Sequence, residues 1–392
     1  MNPIFADSPT TVFEVMSGLA RKHNAINLGQ GFPDDPGPLD VREKAADAII
    51  NGWNQYPPMM GLPELRQAVA QHYQRFHGIA YNSDSEIMVT SGATEALAGA
   101  LMALIKPGDE VVLFQPMYDA YLPLVLRAGG VPKFVTLKPP HFRFTEQDLT
   151  HAFSHRTKLV LFNNPLNPVA TVCPREDLAM LAHFCITNDT IALCDEVWEH
   201  VIFDGLEHTP LACLPGMRDR TIKIGSAGKI FSLTGWKVGF VCAPPPLMKV
   251  LAKAHQFLTF TTPPNLQTAV AYGLEKTDDY FNGMKAGMQR SRDRLASGLM
   301  TLGFEVLPSK ATYFLNVDIT AFGEQNDVVF AQDLVTKYGV ATIPVSAFYA
   351  EHAVKSVVRF CFAKHDATLD GALERLETMV RKSHRGRFSH RQ

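Results

Sequence analysis

The sequence predicts an α/β fold built on a mainly parallel sheet, with a smaller α+β unit appended. Three observations predict it. Between about residues 86 and 245, runs of four or five mostly apolar residues recur, each ending in polar or small residues. Segments of helical character alternate with these runs, and near-continuous apolar runs suit strands covered on both faces. After about residue 280 the alternation stops, and one long amphipathic stretch is followed by further strand-like runs.

Taken in order, the segment to about residue 45 contains "NLGQGFPDDPGP", and its Gly and Pro predict an extended arm. "EIMVT" reads as a strand, and "GATEALAGALMALI" as the helix after it, with glycine and threonine at its start. "DEVVLFQP", "KLVLFNN", "TIALCDE", "TIKIGS" and "VGFVCAP" read as the strands that follow. "MKAGMQRSRDRLASGLMTLGF" opens the second unit as a helix, "TYFLNVDI", "ATIPV" and "SVVRFCFA" are its strands, and "ATLDGALERLETMVRK" closes it. The expected division is 1–45 (arm and part of the small domain), 46–280 (large domain) and 281–392 (small C-terminal domain).

Composition excludes several classes. A formal net charge of −2 over 392 residues gives no global field for nucleic acid or an anionic membrane. With 46% hydrophobic residues the chain can bury a substantial core. The basic stretch 381–392, "RKSHRGRFSHRQ", is expected to be a solvated, fraying terminus. Six scattered cysteines form no C-x-x-C pair, which favours a reducing compartment, the cytoplasm. The N-terminus lacks a signal-peptide pattern, and no apolar run reaches the length of a membrane span.

Open α/β sheets bind ligands beyond the carboxyl ends of their strands. That rule selects Gly92 to Thr94, Met117 and Tyr118, the 163–167 turn, Asp195, and Ser226 to Lys229. The stretch "GSAGKIFSLTGWKVG" places Lys229 and Lys237 where no acidic residue stands between Arg220 and Glu275. A phosphate-binding P-loop would need glycine and Ser or Thr where Lys223 and Ile230 stand. What remains for Lys229 is Schiff-base chemistry, which requires an amine able to lose its proton near neutral pH. Gly92, Ala93 and Thr94 open a helix, where free N–H groups favour an anion such as phosphate. Asp195 ends a buried-looking strand, where a carboxylate needs a cationic partner, although capping the next segment is a rival role. Arg359 lies in an apolar strand with no acid nearby in sequence and wants a carboxylate.

In this order along nearly the whole chain, "INLGQGFPD", "NQYPPMMGLPELR", "VTSGATEAL", "NNPLNP", "CDEVWEH", "SAGKIFSLTGWKVGF" and "VVRFCFAK" resemble the class I aminotransferases. These are fold-type I enzymes dependent on pyridoxal 5′-phosphate (PLP), and the methionine aminotransferase and kynurenine (glutamine) transaminase branch is the most similar subgroup. The resemblance implies the PLP-transferase fold type I, with a seven-stranded sheet between helices. It implies transfer of an amino group from methionine, glutamine or an aromatic amino acid, kynurenine included, to a 2-oxo acid, in a homodimer with shared active sites. Lys229 would hold the cofactor and shuttle the proton, and Asp195 would pair with the ring nitrogen. Asn167 would donate to the ring oxygen O3′ and face the substrate, and Tyr118 would stack on the ring. Ser226 and Lys237 would complete the phosphate cup, and Tyr56 would reach the phosphate of the neighbouring subunit. Arg359, with Gly31, would hold the substrate carboxylate, and Phe32, Tyr118 and Phe348 would line the substrate pocket.

The chain departs from the family pattern at two places. Trp198 replaces the usual tyrosine of D-E-V-Y, exchanging a hydroxyl donor to O3′ for a bulkier ring with one N–H. "NPVA" replaces the common "NPTG" without removing Asn167. The same cofactor chemistry leaves a carbon–sulfur β-lyase as an alternative, and Trp198 leaves a catalytically weakened PLP-binding protein as another.

Overall fold

The structure, a computed structural model, describes residues 1–6 and 9–389. Its strands are β1 (Ile26–Asn27), β2 (Ile87–Thr90), β3 (Glu110–Gln115), β4 (Val131–Thr136), β5 (Thr157–Asn163), β6 (Ile191–Asp195), β7 (Thr221–Ser226), β8 (Gly239–Cys242), β9 (Glu305–Val306), β10 (Phe314–Asp318), β11 (Val340–Ala341), β12 (Ile343–Pro344) and β13 (Val357–Cys361). Seven form one sheet in the order β2-β8-β7-β6-β5-β3-β4. The pairs β3–β4, β3–β5, β5–β6 and β6–β7 are parallel, and β8 runs antiparallel to both neighbours. The carboxyl ends of β2, β3, β5, β6 and β7 therefore all open on the same edge. The expected mainly parallel α/β sheet is present.

Burial explains why the apolar runs became strands. β2, β3 and β8 are buried at every position, and β5, β6 and β7 at all but one. The Ala- and Leu-rich helix Gly92–Leu104 packs on β7, β8 and the helix Pro245–Leu258. Strand β4 is absent from the expected set. It is the sheet's edge, half-exposed, and its Pro132 and Lys133 interrupt the apolar pattern, as edge strands commonly do.

The second sheet, β12-β13-β10-β9, is antiparallel and packs with the helices Asp278–Thr301 and Asp327–Tyr338. The N-terminal segment corrects an expectation in part: residues 28–38, the Gly- and Pro-rich stretch, are without helix or strand, but helices stand on either side of it. Thr11 caps the helix Val12–Lys22, whose Met16 and Ala20 face the core and which packs on Asp327–Tyr338 and β11. A second helix, Leu39–Asn51, starts just after the Gly- and Pro-rich stretch. The final helix, Asp366–Ser389, runs through most of the basic stretch expected to fray, and residues 390–392 lie outside the described residues.

Candidate active site

The parallel edge of the large sheet opens into a cavity of about 180 Å³. Gly92, Ala93, Thr94, Tyr118, Asn167, Asp195, Trp198, Ser226, Lys229 and Lys237 all line it, together with Tyr121 and Asn163. These residues span the sequence from 92 to 237, and the strand ends bring them together.

Lys229 sits in a one-turn helix, Ala227–Ile230, directly after β7. Its Nζ lies 4.6 Å from the centre of the Trp198 ring and 5.7 Å from that of Tyr313. Burial, helped by Arg359 and Lys237 and opposed by Asp195, lowers its pKa from 10.5 to about 8. The structure thus supplies the readily deprotonated amine that Schiff-base chemistry requires.

Asp195 is buried at the end of β6. Its Oδ2 accepts from the Tyr121 hydroxyl at 2.6 Å, and its Oδ1 accepts a longer bond from the Val197 N–H at 3.4 Å. Burial raises its pKa, and these two hydrogen bonds only partly offset that. A carboxylate so placed accommodates a protonated ring nitrogen well, because a cation would relieve its desolvation. The rival capping role is not realised: residues 197–200 form turns rather than a helix, and the Val197 contact only steadies the carboxylate.

One end of the cavity is built by close approach. Gly92 has φ +74° and opens the Gly92–Leu104 helix. A Cβ on Gly239 would lie 2.7 Å from the Gly92 carbonyl carbon, so β8 can abut this turn only as glycine. Lys237, itself left-handed at φ +55°, leans over the turn: its Nζ lies 3.3 Å from where a Gly92 Cβ would stand. A cation, free helix N–H groups and the Ser226 hydroxyl therefore converge, as a phosphate requires.

Asn167 and Arg359 form the other side. The Asn167 N–H donates to Asn163 Oδ1 at 2.9 Å, while Asn163 Nδ2 donates to the Asp195 carbonyl at 2.8 Å. Arg359 Nη1 donates to Asn167 Oδ1 at 2.9 Å and Nη2 to the Gly29 carbonyl at 3.1 Å, leaving Nε buried without a partner. With its Oδ1 engaged, Asn167 has its amide N–H₂ left to donate. Among the described residues no carboxylate lies within ion-pair distance of Arg359. Burial pushes its pKa down to about 9, as expected of a desolvated guanidinium awaiting an anion. Phe314 stacks on it at 3.7 Å, and Phe348 and Phe13 flank it at 5.2 and 5.4 Å. A side chain on Gly31 would run into the Phe314 ring.

Five expected residues do not line this cavity: Arg359 and Gly31, which stand behind Asn167 and Phe314 as described, and Tyr56, Phe32 and Phe348. Tyr56 is 80% exposed, packs edge-on to Phe260 and does not line its own chain's cavity. Phe32 is 45% exposed and lies under Lys364, not in the cavity. Phe348 flanks Arg359 rather than lining the cavity itself. Trp198 is 3% exposed and packs edge-to-face on Tyr313 and Phe314 at 4.7 and 5.7 Å, so the unusual indole is part of a packed aromatic wall. The strand-end rule selects Asn163 but misses Tyr121, which lies inside the motif "PMYDAY" and opens the helix that follows β3.

The depressed Lys229 pKa carries a stability consequence for the cofactor-free protein. Below pH 8 the amine is charged in both folded and unfolded chains, and the native state bears the full cost of burying it. Between about 8 and 10.5 the native amine is neutral while the unfolded one stays protonated, so the cost, about 3 kcal/mol, disappears as pH rises. Lys229→Met should therefore melt above the wild-type apoprotein at pH 7, and the gap should shrink above pH 8 and close only past about 10.5. A gap independent of pH would refute the assignment.

The aminotransferase class I and II family model matches residues 23–376. The methionine aminotransferase of Escherichia coli K12 is 41% identical over 96% of this chain and 99% of its own length. A probable N-succinyldiaminopimelate aminotransferase of Mycobacterium tuberculosis is 41% identical over 95% and 97%. Human kynurenine–oxoglutarate transaminase 1 is 36% identical over 91% and 93%. The solved structure reported to identify a methionine aminotransferase function in E. coli superposes with a TM-score of 0.92 at 42% identity, covering 94% of this chain and 97% of that one. A match of this extent in sequence and in fold shows that the chain belongs to the class I and II aminotransferases, enzymes dependent on pyridoxal 5′-phosphate.

Proposed function

We propose that this aminotransferase takes its amino group from methionine, glutamine or an aromatic amino acid, kynurenine included, and passes it to a 2-oxo acid. The observation that carries this reading is Arg359, a buried guanidinium without a carboxylate partner, sleeved by Phe13, Phe314 and Phe348. The cation suits the α-carboxylate common to all amino acids, and the aromatic surround suits an apolar, thioether or aromatic remainder. The methionine and kynurenine relatives point the same way.

Bound PLP supplies the aldehyde that captures the substrate amine and the ring that takes up the electron pair released at Cα. Lys229 would hold the cofactor and, once released by the substrate amine, would serve as the base and acid that moves the proton of Cα. Asp195, positioned by Tyr121, holds the proton at the ring nitrogen. Asn167 donates from its amide nitrogen, and Lys237, Ser226 and the Gly92–Thr94 N–H groups hold the phosphate. Arg359 orients the substrate by its carboxylate. The same residues serve both half-reactions, which makes the kinetics ping-pong.

The proposed assembly is a homodimer. Ile50, Trp53, Tyr56 and Phe257 are 72–84% exposed in the single chain, an apolar surface that a second copy would cover. Tyr56 of each chain would then reach the other's phosphate. The six cysteines are free, which suits a cytoplasmic enzyme, and no helix among the described residues is long and apolar enough to cross a membrane.

The test is a panel of single amino acids, each added to holoenzyme without an acceptor, with conversion of the cofactor to its amine form followed by absorbance. Methionine, glutamine and aromatic donors should convert it stoichiometrically. Conversion by N-succinyl-diaminopimelate alone would overturn the donor assignment, and pyruvate release from cystathionine without conversion would point to lyase chemistry. Arg359→Lys keeps the charge but loses the fork. It should raise KM for methionine on the order of 10- to 100-fold, with a smaller change in kcat, and an unchanged KM would remove Arg359 from substrate binding.

A further inference from the structure

Glu95 raises an electrostatic problem that His255 solves. Glu95 stands in the first turn of the Gly92–Leu104 helix, whose N-terminus is proposed to receive the PLP phosphate. Its Oε2 accepts the Ser91 N–H at 3.1 Å, closing the turn that presents Gly92. A carboxylate there supports the helix start but opposes a phosphate at the same end.

His255, at the end of the Pro245–Leu258 helix, is fully buried. Its Nδ1 lies 3.0 and 3.1 Å from the two Glu95 oxygens, and its Nε2 lies 3.1 Å from the Met59 carbonyl. A carbonyl only accepts, so Nε2 carries a hydrogen. Nδ1 faces two carboxylate oxygens, a contact that is favourable only with a proton between them. Whether Nδ1 or Glu95 holds it, the pair has no net charge.

We infer that His255 is a positioning residue for the cofactor: it cancels the charge of Glu95, so that Glu95 can close the Ser91–Gly92 turn without repelling the phosphate. His255 also ties this turn to the segment that carries Tyr56. Met59 follows Tyr56 by three residues, the Thr259 hydroxyl lies 3.3 Å from His255 Nδ1, and the neighbouring Phe260 packs on Tyr56. The inference rests on the phosphate-cup reading of Gly92, Lys237 and Ser226.

The experiment strips the full-length protein of cofactor and titrates it with PLP and with pyridoxal, which lacks the phosphate, following tryptophan fluorescence. His255→Gln exposes the Glu95 carboxylate and should weaken PLP roughly tenfold while leaving pyridoxal unchanged. Adding Glu95→Gln to that variant should restore most of the lost PLP affinity. Glu95→Gln alone should bind PLP within about twofold of wild type, or more tightly, since it removes the only negative charge of the pair. A purely structural contact would weaken in both single variants. Equal weakening of PLP and pyridoxal in His255→Gln, or a double variant no better than His255→Gln, would overturn the inference. Should His255→Gln fail to fold, Glu95→Gln decides: a tenfold loss of PLP affinity there overturns it. A wild type that binds pyridoxal as tightly as PLP would instead refute the phosphate cup, and the inference with it.

Discussion

Lys229→Ala is expected to abolish amino transfer, lowering turnover beyond the roughly 10²–10⁴-fold that general acid–base catalysis alone supplies. The residue is asked for two things at once, covalent capture of the cofactor and proton transfer at Cα, and among the described residues no other amine is placed to provide either. Lys237 is committed to the Gly92 turn, and the fully buried Lys223 lies between two carboxylates. Lys229→Arg should be as inactive as the alanine variant, because a guanidinium stays protonated at any working pH. PLP should still bind both variants through the phosphate cup and Asp195, but without the absorbance of a lysine-linked cofactor. Turnover within tenfold of wild type in either variant would remove Lys229 from the chemistry.

How much of this was legible in the sequence depended on distance along the chain. Strands β2, β3, β5, β6, β7 and β8 announced themselves because both faces of each are covered, which leaves little room for polar residues. β4 did not, because an edge strand tolerates Pro132 and Lys133. The helix Val12–Lys22 was hidden beside a Gly- and Pro-rich stretch that suggested an arm, although Thr11 and the spacing of Met16 and Ala20 carry a helical signal. In the site, residues just past strand ends could be found by rule, and the cavity they share spans 92 to 237. The partners that tune them could not. Tyr121 lies 74 residues from Asp195, Arg359 lies 192 from Asn167, and His255 lies 160 from Glu95. Such pairs are fixed by sheet order and helix packing, which no local pattern encodes.

Lys223 shows the same limit, and it yields the largest expected effect on stability. In sequence it was only the lysine of "TIKI", one of the positions that ruled out a P-loop. In the structure its Nζ lies 2.8 Å from Glu196 and 2.7 Å from Glu199, all three fully buried, with His208 and His77 each 3.0 Å from one of the carboxylates. Residues 195–200 are thereby shared between two sides: Asp195 and Trp198 line the cavity, while Glu196 and Glu199 are held by Lys223 on β7, the strand that leads to Lys229. Burial pushes Glu196 up, but Lys223 and His208 overcome it and hold the carboxyl at about 2. The same balance, with Lys223 and His77, keeps Glu199 well below its usual value. In the wild type this stabilisation is present above pH 4.5 and is lost as pH falls toward 2. Lys223→Met removes the cation and leaves two buried carboxylates facing each other, at an expected loss of ~3–5 kcal/mol near pH 7. The carboxyls would then hold protons more tightly when folded than when unfolded. The variant's stability should therefore fall as pH rises above 4.5, the reverse of the wild type's rise between 2 and 4.5. Urea midpoints measured from pH 4 to 8 would show that falling slope, and Lys223→Met combined with Glu196→Gln and Glu199→Gln should flatten it and recover most of the loss. A midpoint that stays level with pH in Lys223→Met would mean that water or the two histidines already neutralise the carboxylates. The turn that carries Asp195 and Trp198 would then owe its position to packing rather than to this buried charge pair.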